Sequence, residues 1–521
     1  MGRAEGAVFR IDFKSAALLA IAALGAAGLF LWQEHLLAGG RWGFPLDDSW
    51  IHLQFARNLN GGQGFSFNPG EVVSASTAPL WTLVLAALYW LPVEVVWSAK
   101  VLGVLLLWVN SLLVLRLGRS LGLERGWALA GGLVVVLTPR LVWGSLSGME
   151  VMLYTALATY GFCRHLETLE RAPCLWGTAA LALAALSRPE CLLLFPLVLA
   201  DRWRLGHPFP WKHLLLFAAL LAPFVAFNLL TLGKPLPNTF YAKVGPYGLS
   251  GALAAGDWVR VAKDLFYYPL LQAEELVAFG AENNLVLAGL APLGFLYLLR
   301  QRRGSWLVLL VLFSFPLFRG ALAPFKGALF QHGRYAAHLI PLITVAGLLG
   351  LRWGWQLLEE GRDFARWRRF QRWGAPAAWA AVFLQLLVSL PGYAQTYGWN
   401  VTNIEDMHVS MGKWLAAHTP PGAVIASHDV GAIAYFSGRR VLDTTGLVTP
   451  RALGFLPAGG PADEGVRRFL EQERPDYVVM LPNWYAHLAE ERDFLEPVYE
   501  IRIEHNTVCA GDRLVVYKID Q

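Results

Sequence analysis

Long apolar runs, each bounded by charged or turn-forming residues, recur along most of the chain. A helix needs about 20 predominantly apolar residues to cross a hydrocarbon core about 30 Å thick. The pattern therefore predicts eleven membrane-spanning helices within residues 1–394. They correspond to the runs Ala16 to Leu37, 99–117, 127–143, 151–166, 175–187, 191–206, 213–233, 285–300, 305–319, 335–354 and 374–391.

Residues 79–92 form a shorter apolar run, which we interpret as a helix in the outer membrane interface rather than a span. A run of this length that ends at Pro92 is short for a crossing. Trp81, Tyr89 and Trp90 are residues typical of the interface. If this run crossed the membrane, every later basic loop would lie on the opposite side.

The basic residues predict the orientation of the membrane body. Arg3, Arg10 and Lys14 precede the first span, and the positive-inside rule therefore places the N-terminus in the cytoplasm. Two external segments are longer than ordinary connections, and chemistry is expected to concentrate outside. The external segments are 39–98, 144–150, 187–190, 234–284 and 320–334, of which 39–98 and 234–284 are the long ones.

Residues 395–521 alternate between helical and strand patterns, which predicts a soluble, extracytoplasmic α/β domain. This tail contains neither a GxGxxG motif nor a Walker loop, and nothing in it supports a nucleotide site. The pattern predicts a helix near 405–418 and strands at 423–427, 440–443, 477–480 and near 499–505 and 513–519.

Composition supports a polytopic membrane protein with one soluble domain. Apolar residues make up 55% of the chain and charged residues 16%, against roughly 45–50% and about 25% in ordinary soluble domains. Nucleic-acid binding is excluded, because the positive-inside rule explains the basic residues of the short cytoplasmic loops. The four cysteines form no CxxC pair, so a structural zinc site or a disulfide framework is not expected.

The acidic pair Asp47 and Asp48 directly follows the first span and begins an amphipathic helix over residues 49–59, which also carries His52. A helix N-terminus stabilises negative charge. One of the two aspartates could act only as an N-cap. A cap needs a single residue, however, and carboxylates near a membrane are expensive unless they have a function.

Further charges lie in the other external segments. Glu150 follows the third span, and Arg188 and Glu190 share the turn between two later spans, where a mutual salt bridge is the structural alternative. In the long loop, Asn238, Tyr241 and Lys243 bring an amide, a phenol and an ammonium group together. A lysine in this setting can hold a phosphate as a point charge.

A basic cluster with His332, Arg334 and Tyr335 enters the bilayer from outside, ahead of the tenth span. A guanidinium group binds phosphate bidentately, although an arginine at the end of a span can also simply extend to the interface. In the tail, His428 and Asp429 follow a strand, where ligand-facing residues of α/β sheets often lie. Turn or capping roles are the ordinary alternative for both.

Several short motifs together resemble the GT-C superfamily, integral-membrane glycosyltransferases that use polyprenyl-phosphate sugars. The acidic pair, the amphipathic helix, the charges in the second and third external loops, the long fourth loop and the external tail share that architecture. Residues 1–233 would contain the seven-span module of the superfamily. The motifs similar to the opening segment of bacterial cell-wall arabinofuranosyltransferases are Asp47-Asp48, Ala56-Arg57-Asn58-Leu59, Gly62-Gln-Gly64, Asn68-Pro-Gly70-Glu71 and Ser76-Thr77-Ala-Pro-Leu80-Trp81.

The resemblance implies an enzyme of the bacterial plasma membrane. It would transfer a sugar, with inversion, from a polyprenyl-phosphate donor in the outer leaflet to a hydroxyl of a glycan, lipid or protein acceptor. The superfamily's catalytic carboxylate maps onto Asp47 or Asp48, with Asp47 preferred as the leading acidic residue. Glu150 would orient the acceptor or complete a site for a divalent ion, Mg²⁺ or Mn²⁺.

Cations would meet the charge that develops on the leaving phosphate, and Arg334, Lys243 and Arg188 are the candidates, in that order. The other expected substrate-binding residues are Glu190, Tyr241, Asn238, His332, Tyr335, His52, His428 and Asp429.

Three other classes of protein share parts of this pattern. A transporter or flippase of lipid-linked saccharides would show inverted repeats and charges at mid-membrane, whereas the charges here gather at the outer rim. A lipid-linked glycan ligase or polymerase would rely on Arg and His chemistry and leave Asp47 and Asp48 without a role. The third alternative is a catalytically inactive scaffold.

Overall fold

A computed structural model describes residues 11–170, 173–244, 248–301, 304–323, 327–360, 364–456, 462–491 and 493–519. Helices build the membrane body, and a five-stranded sheet with flanking helices builds the tail. The first helices are α1 (Phe13–Leu37), α2 (Asp47–Asn60), α3 (Pro79–Leu88), α4 (Val95–Ser120), α5 (Arg125–Leu137), α6 (Pro139–Leu146), α7 (Val151–Glu167), α8 (Leu175–Ser187), α9 (Leu194–Arg204) and α10 (Trp211–Leu232). They continue with α11 (Asn238–Val244), α12 (Leu249–Ala255), α13 (Trp258–Ala262), α14 (Tyr268–Arg300), α15 (Leu307–Leu322), α16 (Phe330–Gly333), α17 (Ile340–Glu360) and α18 (Phe364–Ile404).

Each predicted apolar run is largely helical. By length and composition, six described helices are long and apolar enough to cross a membrane, and a seventh span results if the bent pair α5 and α6 counts as one. The bend of 56° falls at Thr138 because Pro139 disfavours a helical conformation in the residue before it. The total of eleven spans and their orientation stay predictions, since α7, α8, α9 and α15 are short.

The helix α3 has ten residues and is therefore about 15 Å long at 1.5 Å per residue, half the thickness of a hydrocarbon core. This length agrees with the interfacial interpretation of residues 79–92.

The membrane body packs closely where glycine permits it. A Cβ atom added to Gly294 of α14 would overlap the backbone of Ala346 in α17, and small residues of this kind are typical of membrane helix contacts.

The tail has the predicted α/β architecture. Its helices are α19 (Ser410–His418), α20 (Gly431–Ser437), α21 (Ala462–Glu473) and α22 (Ala486–Glu490), and its strands are β1 (Val424–Ser427), β2 (Arg440–Asp443), β3 (Tyr477–Met480), β4 (Leu495–Arg502) and β5 (Arg513–Ile519). The strand order is β2-β1-β3-β5-β4. Strands β1, β2 and β3 are parallel, so their carboxyl ends meet at one edge of the sheet.

The membrane body and the tail are joined by continuous helical backbone. Helix α18 runs past the predicted domain boundary at residue 394 to Ile404, and a π-helical turn (Glu405–Val409) connects it to α19. The carboxyl edge of β1, β2 and β3 is anchored against the start of α2, because Gly431 and Ala432 of α20 donate hydrogen bonds to Asp47. The acidic pair therefore lies at the junction of the two parts.

Candidate functional site

A cavity of about 490 Å³ lies where the predicted external segments meet the tail. One wall is apolar and is formed largely by α9, the turn before it, and α15. Its apolar residues include Leu193, Leu197, Val311, Phe315, Phe318 and Leu322. The lining also contains the polar and charged residues Asp48, His52, Glu150, Arg188, Glu190, Lys243, Arg319, Arg334, Tyr335 and His338.

Arg334 and Asp48 form the central ion pair of the cavity. Nη2 of Arg334 lies 2.5 Å from Oδ2 of Asp48, and Arg334 is 3% exposed. Burial alone would raise the pKa of Asp48, but the charges of Arg334 and Lys243 outweigh it and hold this pKa well below the usual carboxyl range. Nε and Nη1 of Arg334 are buried, and no described residue is a hydrogen-bond partner of either atom. Buried guanidinium donors without an acceptor are costly, which points to an anion as their ligand.

The backbone before Arg334 is unusual. Gln331, His332 and Gly333 adopt φ values of 46°, 57° and 79°, a region that non-glycine residues rarely occupy. A Cβ atom at residue 333 would lie 2.6 Å from the ring of Phe279, so glycine is required there. Such conformations persist where the surrounding structure imposes them, often at functional sites.

A second group of charges surrounds Glu150. Arg188 donates a hydrogen bond to Oε1 of Glu150, and Nε2 of His52 lies 3.4 Å from Oε2. Arg188 also pairs with Glu190 at 3.2 Å, as the salt-bridge alternative predicted. Among the residues that the structure describes, no three His, Cys, Asp or Glu side chains are placed to hold a metal ion. Glu150 is instead neutralised by Arg188.

Tyr335 connects these groups. The guanidinium carbon atoms of Arg188, Arg319 and Arg334 lie 4.2, 5.0 and 5.1 Å from the centre of its ring. An aromatic ring attracts guanidinium groups, so Tyr335 helps to hold these three cations close together. The lining residues include three carboxylates and four cations, so the charge excess suits one added negative charge.

Sequence reasoning missed Arg319 and His338 as cavity residues. Arg319 ends an apolar run and therefore resembles an ordinary charge at the end of a span. In the structure its Nη1 lies 3.3 Å from Oε1 of Glu190. The available signal was the position of Arg319 at the predicted outer end of its apolar run, directly before a predicted external segment.

Asp47, the preferred catalytic candidate, does not line the cavity. Its Oδ2 and Oδ1 accept hydrogen bonds of 2.7 Å from the backbone N–H groups of Gly431 and Ala432. Burial raises the pKa of Asp47 to about 6, with Asp429 adding to the shift and His408 opposing it. This carboxylate therefore holds the tail against α2.

We expect the substitution Asp47→Asn to weaken the docking of the tail. Asparagine has a single side-chain acceptor, so one of the two N–H groups loses its partner, at a cost of about 1–3 kcal/mol. Hydrogen exchange at residues 431–437 of the full-length protein measures this effect. The Asp48→Asn variant is the matched control and should exchange like the wild type. Unchanged protection in Asp47→Asn would contradict the docking role.

Three other predicted residues also lie outside the cavity lining. The Nδ2 atom of Asn238 donates to the carbonyl oxygens of Gly446 and Leu447, at 2.5 and 3.1 Å, and so joins the long loop to the tail. The Nζ atom of Lys234 lies 4.6 Å from the centre of the Tyr241 ring, and the ring of His332 stacks on that of Trp143.

His428 and Asp429 lie at the carboxyl end of β1, as predicted, but not in the cavity lining. Oδ2 of Asp429 lies 3.1 Å from Nε2 of His408 and 3.5 Å from Nε2 of His428. Burial lowers the pKa of His428, which keeps this imidazole neutral. Burial opposes protonation of His408, but the Cys509 thiol and Asp429 outweigh it and raise the pKa of His408 well above its usual value.

The fold and the site define a class: a helical membrane protein with a charged cavity at its predicted outer face. The chain superposes on ArnT from Cupriavidus metallidurans bound to undecaprenyl phosphate with a TM-score of 0.59 and 12% identity, covering 97% of this chain and 98% of that one. It superposes on the Archaeoglobus fulgidus oligosaccharyltransferase in the apo form with a TM-score of 0.61 and 13% identity, covering 98% and 75%. These two matches confirm that the chain has the GT-C fold that the motifs indicated.

A curated relative also matches this chain in sequence. The chain is 28% identical over 354 residues to the terminal β-(1→2)-arabinofuranosyltransferase of Mycobacterium tuberculosis (strain ATCC 25618 / H37Rv), which covers 65% of this chain and 50% of the relative. The chain thus spans about half the length of the curated relative that it matches. Residues 399–517 match a family model described as a domain of unknown function (DUF8728).

Proposed function

We propose that this chain is a glycosyltransferase that moves a sugar, with inversion, from a polyprenyl-phosphate donor to a hydroxyl group of an extracytoplasmic acceptor. The observation that carries the proposal is the cavity that is lined both by the ion pair of the buried Arg334 with Asp48 and by an apolar wall. The positively charged side chains of the cavity would bind the donor phosphate, and its apolar wall would accept the lipid chain. A relative that is an arabinofuranosyltransferase favours a pentose as the transferred sugar.

The donor phosphate would bind at Arg334, whose Nε and Nη1 donors are unpartnered in the structure. Arg188, Arg319 and Lys243 line the same cavity and would stabilise the charge on the leaving phosphate. The polyprenyl chain would lie along α9 and α15. ArnT, whose structure was solved with undecaprenyl phosphate, has the same fold and supports this class of donor.

Asp48 would be the general base. Asp48 lines the cavity, whereas both carboxylate oxygens of Asp47 accept hydrogen bonds from α20. A candidate general base is judged first by its position and only then by its pKa. Asp48 would take the proton of the acceptor hydroxyl as that oxygen forms its bond to the anomeric carbon. The bond from this carbon to the phosphate oxygen would break on the opposite side, releasing polyprenyl phosphate.

Binding of the donor would also activate Asp48. The Arg334 guanidinium lowers the pKa of this carboxyl group and so makes it a weak base in the empty cavity. A phosphate bound to Arg334 would offset the positive charge of the guanidinium group. The pKa of Asp48 would then rise, and the carboxylate would become a stronger base. Glu150, held by Arg188 and His52, would orient the acceptor hydroxyl.

The proposal is tested with the purified full-length protein in lipid nanodiscs. Radiolabelled polyprenyl-phosphate arabinofuranose, mannose and glucose are supplied with neutral oligosaccharide acceptors, and release of free polyprenyl phosphate is followed. We expect one donor to be consumed, with label in the acceptor. A polyprenyl-diphosphate sugar is the matched control donor. If no monophosphate donor is consumed with any acceptor, the proposal is wrong.

A further inference from the structure

The carboxyl edge of the three parallel strands of the tail has features of a ligand site that the catalytic cavity does not include. Strands β1, β2 and β3 end at Ser427, Asp443 and Met480. In α/β sheets, ligands bind outside the carboxyl ends of the strands. Here one side of that edge lies against the start of α2, because Gly431 and Ala432 of α20 donate hydrogen bonds to Asp47.

His428 lies at this edge with its hydrogen-bonding capacity unused. The residue is 4% exposed, and neither Nδ1 nor Nε2 has a hydrogen-bond partner in the part of the chain that the structure describes. A neutral imidazole offers one donor and one acceptor. Buried polar groups in proteins are nearly always paired, so two unpaired nitrogens at a sheet edge point to a polar ligand.

Trp484 gives the same edge an aromatic surface. It follows β3, is 45% exposed, and its ring centre lies 4.8 Å from that of His428. The carboxylate of Asp429, 28% exposed, lies beside the same imidazole. An open aromatic face with a few fixed polar groups is the pattern of sites that bind a mixed apolar and polar ligand. A sugar ring, with apolar faces and a rim of hydroxyls, is such a ligand.

One loop joins this edge to the catalytic cavity. The loop 443–449 leaves β2 next to the end of β1, because the backbone N–H of Thr444 donates a hydrogen bond to the carbonyl oxygen of Ser427, the residue before His428. Leu447 and Val448 of the same loop line the cavity. The loop is fixed by hydrogen bonds from Asn238 to Gly446 and Leu447. On the other side, Asp429 is two residues from Gly431, which binds Asp47, the neighbour of Asp48.

We propose that Trp484, His428 and Asp429 form a glycan-binding subsite for the acceptor, which makes the acceptor an oligosaccharide rather than a lipid or a protein. This inference rests on the proposed function. The sugar with the reacting hydroxyl enters the cavity, and a sugar further along the same chain stacks on Trp484. Asp47 and Asp429 face one protonated imidazole, His408, so the subsite selects neutral rather than acidic saccharides.

The subsite is tested by binding, which needs no catalysis. Saturation-transfer difference NMR on the full-length protein without donor uses arabinofuranosyl, manno- and gluco-hexasaccharides, with hexagalacturonate as the acidic control. We expect one neutral hexasaccharide to bind and the acidic one not to bind. Trp484→Ala should weaken binding at least about tenfold, as loss of a central tryptophan commonly does. Val498→Ala, at an exposed position on β4, is the control and should bind like the wild type.

His428→Phe separates a ligand role from a structural one. Phenylalanine keeps the ring contacts with Trp484 and Tyr485 but removes both nitrogens. A ligand role predicts weaker glycan binding with a Tm equal to or above that of the wild type, and a purely structural role predicts unchanged binding.

Binding that depends on Trp484 supports the subsite even if no donor is consumed, in which case the proposed function alone fails. If no hexasaccharide binds, or if sugar transfer occurs with an acceptor KM that Trp484→Ala leaves unchanged, the subsite is wrong.

Discussion

Replacing Asp48 with asparagine is expected to lower kcat for sugar transfer about 10²–10⁴-fold, the usual contribution of a positioned general base. Asparagine keeps the shape of the side chain and a hydrogen-bond acceptor for Arg334, but it cannot take a proton from the acceptor hydroxyl. The KM for the donor should change little, because the phosphate-binding groups remain. Initial rates of polyprenyl phosphate release, measured with saturating acceptor, give both values.

Asp47→Asn is the matched control for this experiment. It removes the adjacent carboxylate, which contacts α20 and does not line the cavity. We expect a kcat within about tenfold of the wild type, well short of the loss of a general base. The opposite ranking, with Asp47→Asn inactive and Asp48→Asn active, would restore the sequence-based preference for Asp47 and exclude Asp48 as the base.

The choice between Asp47 and Asp48 shows what the sequence could not decide. Adjacent residues of a helix point about 100° apart, so the two carboxylates have different surroundings. Which of them lines the cavity depends on where the tail packs, and that contact joins residues almost 400 positions apart. No local pattern carries this information. The leading position in the motif favours Asp47, whereas the neighbours in space favour Asp48, and the kinetics of the two variants decide between them.

The features predicted well are those encoded locally. Apolar runs predict helices because a segment in a membrane must pair its own backbone N–H and C=O groups by hydrogen bonds. The short run at 79–92 contains the short helix α3. His428 and Asp429 were expected at a strand end, where they lie. Arg319 was missed because the sequence around it does not distinguish an arginine that lines a cavity from one that extends to the interface. Its neighbours, Glu190 and Tyr335, come from distant segments.

Replacing Arg334 with glutamine is expected to raise the KM for the donor between about 30- and several thousand-fold, the range for loss of one partner in a buried charged contact. Arg334→Lys keeps the charge but not the planar fork that binds phosphate bidentately, and it should fall between the wild type and glutamine. Titration of initial rates against donor concentration measures both effects. Arg116→Gln is the matched control, because Arg116 pairs with Glu167 away from the cavity.

The pH profile of Arg334→Gln tests whether Arg334 controls the charge of Asp48. In the wild type, Arg334 holds the pKa of Asp48 below the usual carboxyl range, so Asp48 stays ionised in the free protein down to low pH. Without this guanidinium, Lys243 and His52 still oppose the effect of burial, but the pKa of Asp48 rises. The ionised base is then lost at a higher pH than in the wild type. We therefore expect the acid limb of kcat/KM to move to higher pH in Arg334→Gln and to stay in place in Arg116→Gln. An unshifted acid limb would show that Arg334 does not control the charge of Asp48, and the coupling of donor binding to activation of the base would then be wrong.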